Sequence, residues 1–163
     1  MGLWQSIGMR YAAFLLSLFM LATTSGTALA DSAPVFVGPS GWSHNPPPAT
    51  DPYRTIDQWH LSGDVASVTF IKDTSTTYTD AVAAIEKNFS TNKIKPAADK
   101  DTSCRGATAR LVEFAIGPDG HQVVIHRLVV PDGNGVDTVT YTRSNGSAFD
   151  PDVKKSETTY CGS

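Results

Sequence analysis

An α+β domain, built as an antiparallel β-sheet with one main amphipathic helix packed on it and a short C-terminal helix, is the architecture expected of this chain. The first reason is a change of period. Tyr78, Val82, Ile85 and Phe89 recur at i, i+4, i+7 and i+11, the spacing of a helical stripe, within a chain whose other apolar runs alternate or are continuous. The second is turn chemistry. Gly117-Pro118-Asp119-Gly120 and Pro131-Asp132-Gly133-Asn134-Gly135 separate three runs rich in strand-forming residues. The third is Asp150-Pro151, a capping residue followed by a proline preset for the first position of a helix.

Residues 1–30 read as a secretory signal peptide. Arg10 and the amino terminus supply a positive start, and Tyr11 to Ala22 is an apolar run of 12 residues, too short to span a bilayer. Ala28-Leu29-Ala30 has the small-x-small pattern that places cleavage after Ala30, and no stable membrane span is expected once this segment is gone. The apolar run is followed by no cysteine that could accept a lipid in the manner of a bacterial lipoprotein.

Residues 31–53 read as an extended N-terminal arm and Pro-rich loop. Val35 to Val37 is a short strand or arm ended by Gly38-Pro39-Ser40-Gly41, and "NPPPATDP" lacks the backbone donors that a helix or central strand needs. Residues 54–163 are expected to form a single α+β domain. It opens with strands over 54–61 and 65–72, divided by the compact turn Ser62-Gly63-Asp64, with Ala66, Val68 and Phe70 on one face. Thr77 is a plausible N-cap for the helix, with Asp80 three residues on, and the helix should end between Asn88 and Asn92. "KIKPAADKDTS" follows as a polar connector or an edge segment. A meander over 107–116, 121–130 and 136–144 comes next, its middle strand apolar on both faces and therefore central. The final helix from Pro151 carries Val153, Glu157 and Tyr160 on one side.

Loss of residues 1–30 would remove only Arg10 from the charged set, leaving 12 basic against 16 acidic residues in a chain of 133. With no basic block and no interleaving of basic and aromatic residues, nucleic acid and anionic membrane surfaces are poor partners for it. Cys104 and Cys161 are the two cysteines. In an oxidising compartment, secreted or periplasmic, such a pair is expected to form a disulfide, and neither has the CxxC or histidine neighbours of a metal or thiolate site.

The segment "GPSGWSHNPPPATDPYRTIDQWH" holds the densest set of candidate groups: His44, Asp51, Asp57 and His60, with Trp42 and Trp59. No two of the ligand-type residues have the i, i+4 spacing of a helical metal site, and Asp57 and His60 on one strand point to opposite faces, so no metal ligand is assigned. His121 and His126 fail by the same parity. Ser40 lacks the G-x-S-x-G elbow, and the glycine-rich turns precede no helix that could cradle phosphate, so no catalytic residue and no cofactor are assigned. Trp42 and Trp59 have two readings, an exposed pair forming a binding surface or large core residues, of which packing in a small domain favours the second.

Pro39-Ser40-Gly41-Trp42, two strands, one amphipathic helix, Gly106-Ala107-Thr108-Ala109, the meander with "DTVTYT" and a short last helix together resemble the PsbP-like fold group, which includes DcrB-like bacterial envelope proteins. The resemblance implies that Trp42 marks where the chain enters its fold. It also implies a non-enzymatic binding or assembly role, and it transfers no functional residue. The expected function is thus that of an exported accessory or binding protein of the cell envelope or extracellular space, partnered by another envelope or secreted protein. The alternative is a small secreted hydrolase or metal-dependent enzyme using the His44–His60 region. Exported protein should begin at Asp31, and intact-mass spectrometry of secreted material checks this; a mass retaining residues 1–30 contradicts it.

Overall fold

The computed structural model describes residues 35–63 and 66–162, so the expected signal peptide and its cleavage site at Ala30 lie outside the described residues. Seven strands and two helices form an α+β fold in the order β1 (Ser43–His44), β2 (Arg54–His60), β3 (Ala66–Asp73), α1 (Tyr78–Asn92), β4 (Ala98–Cys104), β5 (Ala107–Ile116), β6 (Val123–Asp132), β7 (Gly135–Ser144) and α2 (Pro151–Cys161). All strands join one sheet in the order β1-β2-β3-β7-β6-β5-β4, and every neighbouring pair is antiparallel.

That order gives α1 its task. β3 lies beside β7, yet the next strand in the chain is β4 at the far edge, so the connection must pass β7, β6 and β5. α1 makes this crossing over one face of the sheet. Thr77 caps it, its hydroxyl accepting from the Asp80 amide at 3.2 Å, and it ends at Lys93 in the left-handed conformation. The chain then returns strand by strand to β3.

Alternation divides the side chains between two faces. On the first, Val68, Phe70, Leu128, Val130, Val139 and Tyr141 form a core with Val153 and Tyr160 of α2. The arm before β2 belongs to this core, because Phe36 packs on Phe70, Trp59 and Tyr160 at centroid separations of 5.6, 5.5 and 5.7 Å. On the second face Phe89 of α1 meets Phe114 at 5.0 Å with Val112 and Ile125 around it. A fully buried side chain of this size contributes about 1.5–3 kcal/mol, so the first face carries most of the apolar stabilisation.

Two expectations need correction, and one open alternative is decided. The sheet begins at Ser43, inside the stretch expected to be arm and loop, because the Asn45 amide bonds to the Gln58 carbonyl and extends β2 by a two-residue edge. Of the two readings of "KIKPAADKDTS", connector or edge segment, the second holds from Ala98 onward: β4 is an edge strand, and Arg105 (φ 55) and Gly106 (φ 72) both adopt positive φ in a two-residue hairpin turn to β5. β6 runs to Asp132 rather than stopping at Val130. Pairing with β5 ends at Val129, so Pro131 has only β7 alongside, the situation in which a strand tolerates proline.

Cys104 at the end of β4 is bonded to Cys161 at the end of α2, 57 positions further along the sequence. The bond holds the last turn of α2 against the sheet edge, where the Arg105 amide also donates to the Cys161 carbonyl at 3.0 Å. Closing a loop of this length stabilises by about 3–4 kcal/mol. The double variant Cys104→Ser, Cys161→Ser should lose that amount in urea unfolding while wild type under reductant loses the same; an unchanged midpoint would refute the role.

Candidate functional site

Gly38 explains where the tryptophans go. A Cβ at Gly38 would lie 2.2 Å from the Trp59 indole, so the arm crosses directly over that ring. Trp59 is 8% exposed and Trp42 is 9% exposed, the latter tilted against Tyr141 at 6.2 Å. Of the two readings of Trp42 and Trp59, the exposed binding surface is therefore corrected and the favoured one holds: both are core residues.

The histidines and aspartates beside them are only partly brought together. His44 Nε2 lies 3.0 Å from Asp57 Oδ1, and its ring stacks on Trp59 at 4.9 Å. Asp51 accepts from the Tyr53 amide, and His60 lines a separate hollow of about 230 Å³ with Ser67, Thr142 and Arg143. Among the described residues no hydroxyl or thiol is hydrogen-bonded to His44, and no three His, Cys, Asp or Glu side chains are grouped to hold a metal. His126 is buried with its Nε2 3.2 Å from Glu157, while His121 is exposed.

A larger concavity than the His60 hollow lies between α1 and the second face of the sheet. It measures about 650 Å³, within the usual range for small-molecule sites. Its roof is Ala81, Ala84, Ile85, Asn88 and Phe89; its floor includes Ile71, Phe114, Ile125, Val129, Thr138 and Thr140. Phe89 is the one buried residue of α1, with Ile85 partly buried beside it, so the helix is anchored through its C-terminal half. The small side chains of Ala81 and Ala84, which lie beside the expected stripe rather than on it, leave the gap open.

One end of this cleft is closed by a tightly satisfied carboxylate. Asp73 accepts from Arg54 Nε at 2.8 Å, from the Ser75 amide and hydroxyl at 2.8 and 2.7 Å, and from the Thr76 amide and hydroxyl, both at 3.0 Å. Burial pushes its pKa up, but the hydrogen bonds from Ser75, Arg54 and Thr76 outweigh that and hold the carboxyl far below the usual carboxylate range. Gly135 packs on the same corner, where a Cβ would meet the Asp73 carbonyl at 2.5 Å. This corner sets the start of α1 against β3 and so fixes the height of the roof.

A second polar cluster staples the opposite face. Tyr160 donates its hydroxyl to Asp137 Oδ2 at 2.6 Å, and Arg105 reaches the same oxygen and Asp132, each at 3.1 Å, while Lys72 pairs with Asp132. Asp137 is 2% exposed; burial raises its pKa, and burial together with the bond to Asp137 raises that of Tyr160. The cluster adjoins the disulfide and holds α2 down.

No family model matches the chain, and no curated protein matches it. Among solved structures it is similar to PA94 from Pseudomonas aeruginosa, a protein of unknown function. The two are 20% identical with a TM-score of 0.46, over 60% of this chain and 72% of that one.

Because the folded Asp73 pKa lies below its unfolded value, its stabilisation is complete above about pH 4 and is lost as the pH falls toward the folded value. Asp73→Asn should destabilise by about 2 kcal/mol at neutral pH, the cost of leaving several donors under-satisfied. Urea midpoints at pH 7 and pH 3 should show the gap to wild type narrowing in acid; a gap independent of pH contradicts the assignment.

Proposed function

We propose that the protein is an exported, non-enzymatic binding module whose small-molecule ligand sits in the cleft between α1 and the sheet. The observation that carries this reading is the cleft itself: about 650 Å³, lined mainly by aliphatic and aromatic side chains, and held open by alanines on the helix. A concave, mostly apolar site with few polar groups is the usual form of a ligand pocket. Export is supported by the signal-peptide pattern of residues 1–30 and by the Cys104–Cys161 disulfide. The element order that resembles the PsbP-like group, whose members are generally binding or assembly factors, supports a binding role. Another envelope or secreted protein is the partner to which such a module would deliver or present its ligand.

The enzymatic alternative has one observation in its favour, the 3.0 Å contact between His44 and Asp57. The pair has the base-and-orienter part of a relay but no nucleophile within hydrogen-bonding reach among the described residues, and the imidazole is occupied in stacking on Trp59.

The neutral dye N-phenyl-1-naphthylamine should bind one per chain with a rise in fluorescence. Ala84→Trp, which fills the roof, should weaken binding by about tenfold or more through loss of buried contact area. His44→Ala and His60→Ala should leave it unchanged. Dye binding indifferent to Ala84→Trp would sink the cleft as the site, and ester hydrolysis lost on His44→Ala would restore the enzymatic reading.

A further inference from the structure

Five arginines fall among the described residues, and four are neutralised by carboxylates: Arg54 by Asp73, Arg105 by Asp132 and Asp137, Arg110 by Asp99 and Asp101, and Arg143 by Glu113. Arg127 is the exception. It lies on β6, and among the described residues its side chain has one partner, the Thr140 hydroxyl on β7, to which Nε donates at 3.2 Å. It also lines the cleft. The other two charged residues of the lining, Arg54 and Asp73, cancel each other at 2.8 Å, so Arg127 contributes the uncompensated charge.

The register locates that charge. On the cleft face, Arg127 stands level with Val112 on β5 and Thr140 on β7. The next level toward one end is Val129–Thr138–Ile71, and beyond it Val136–Asp73. Toward the other end come Phe114–Ile125 and then Ile116–Val123. Two levels on either side at about 3.3 Å per residue put Arg127 about 13 Å from each end of the floor. The guanidinium is thus central, with an apolar wing of Phe114, Ile125 and Ile116 leading to a mouth where Ile116 is 43% exposed. Burial without a counter-charge depresses its pKa, yet a guanidinium remains charged at any physiological pH. Placing a cation in a partly desolvated, mostly apolar cleft costs free energy unless an anion meets it there.

We infer that the cleft binds an amphiphile with a single anionic head, a carboxylate or a phosphate monoester, whose head pairs with the Arg127 guanidinium and whose apolar chain runs along the Phe114–Ile125–Ile116 wing. This rests on the cleft being the ligand site, as proposed above. Nε is already committed to Thr140, which fixes the plane of the guanidinium and leaves its terminal nitrogens for two parallel bonds to the head. Thr140 is in this account a positioning residue. The threonine-rich floor on the β7 side favours the polar end of the ligand, and the aromatic and aliphatic wing favours its tail.

The test is displacement of N-phenyl-1-naphthylamine from the purified protein by three ten-carbon probes: decanoate, decyl phosphate and neutral 1-decanol. Wild type should bind the two anions about tenfold or more tightly than the alcohol, the margin of a charge-assisted bidentate pair in a partly desolvated site. Which anion binds better identifies the head. Arg127→Met should close the gap by weakening the anions while sparing 1-decanol, and Arg127→Lys should keep part of it. A variant-free check uses wild type alone: affinity for decanoate should fall with added salt and that for 1-decanol should not. Equal affinity for decanoate and 1-decanol in wild type, or an unchanged gap in Arg127→Met, overturns the anionic head while leaving the cleft as a ligand site. Failure of every probe to displace the dye, together with dye binding indifferent to Ala84→Trp, overturns both.

Discussion

Strand β6 must be covered on both of its faces, and the remainder of the molecule follows from how unequally that is achieved. Val130 and Leu128 look toward α2, Val129 and Ile125 toward α1, and all four are buried. The first face receives three covers: the N-terminal arm with Phe36 and Trp42, the helix α2, and a disulfide that prevents the helix from lifting. The second receives a single helix that has to span three strands on its way from β3 to β4. One helix is about 10 Å wide, whereas the path from β3 across β7, β6 and β5 to β4 crosses four strand spacings, about 19 Å in all, so its coverage is incomplete unless large residues fill the flanks. Ala81 and Ala84 do not fill them. The cleft is the geometric remainder.

Charges on the two faces follow the same division. On the well-covered face the buried carboxylate of Asp137 is met through Oδ2 by Tyr160 and Arg105, and His126 by Glu157. At the end of the cleft Asp73 draws five hydrogen bonds and locks the loop from β3 into α1. Arg127 stands apart as a cation in the floor with one neutral partner. The fold thus neutralises its other described arginines and leaves this one facing the cleft, which is the observation the proposed anionic ligand rests on.

Much of the fold was legible in local pattern. The helix over 78–92, the capped helix from Pro151, the central position of the strand around Val124–Val130 and the pairing of two cysteines all follow from periodicity, capping chemistry and compartment. The hairpin at Arg105-Gly106 was not legible, because arginine is a rare choice for a positive φ and its side chain is held there by Asp132, Asp137 and Tyr160. The site was less legible still. The segment richest in tryptophan, histidine and aspartate drew attention, yet its aromatics pack inward and only His44 and Asp57 of its ligand-type residues meet. Arg127, in the middle of "VVIHRLVV", had a signal: a charge in an otherwise apolar central strand has to be explained by something across from it.

The sequence by itself determined the two helices and most of the strands, which residues face the same way along each, and which two cysteines were available to bond, because these depend on contacts within a few residues or on a count. Only the tertiary structure decided that β4 is the far edge, that α1 therefore crosses the second face, and that Ala81 and Ala84, beside Ile85 and Phe89 of the apolar stripe, line the cleft that Arg127 also lines. Strand order is set by long-range pairing, and no local pattern encodes it. The cleft exists because of that order.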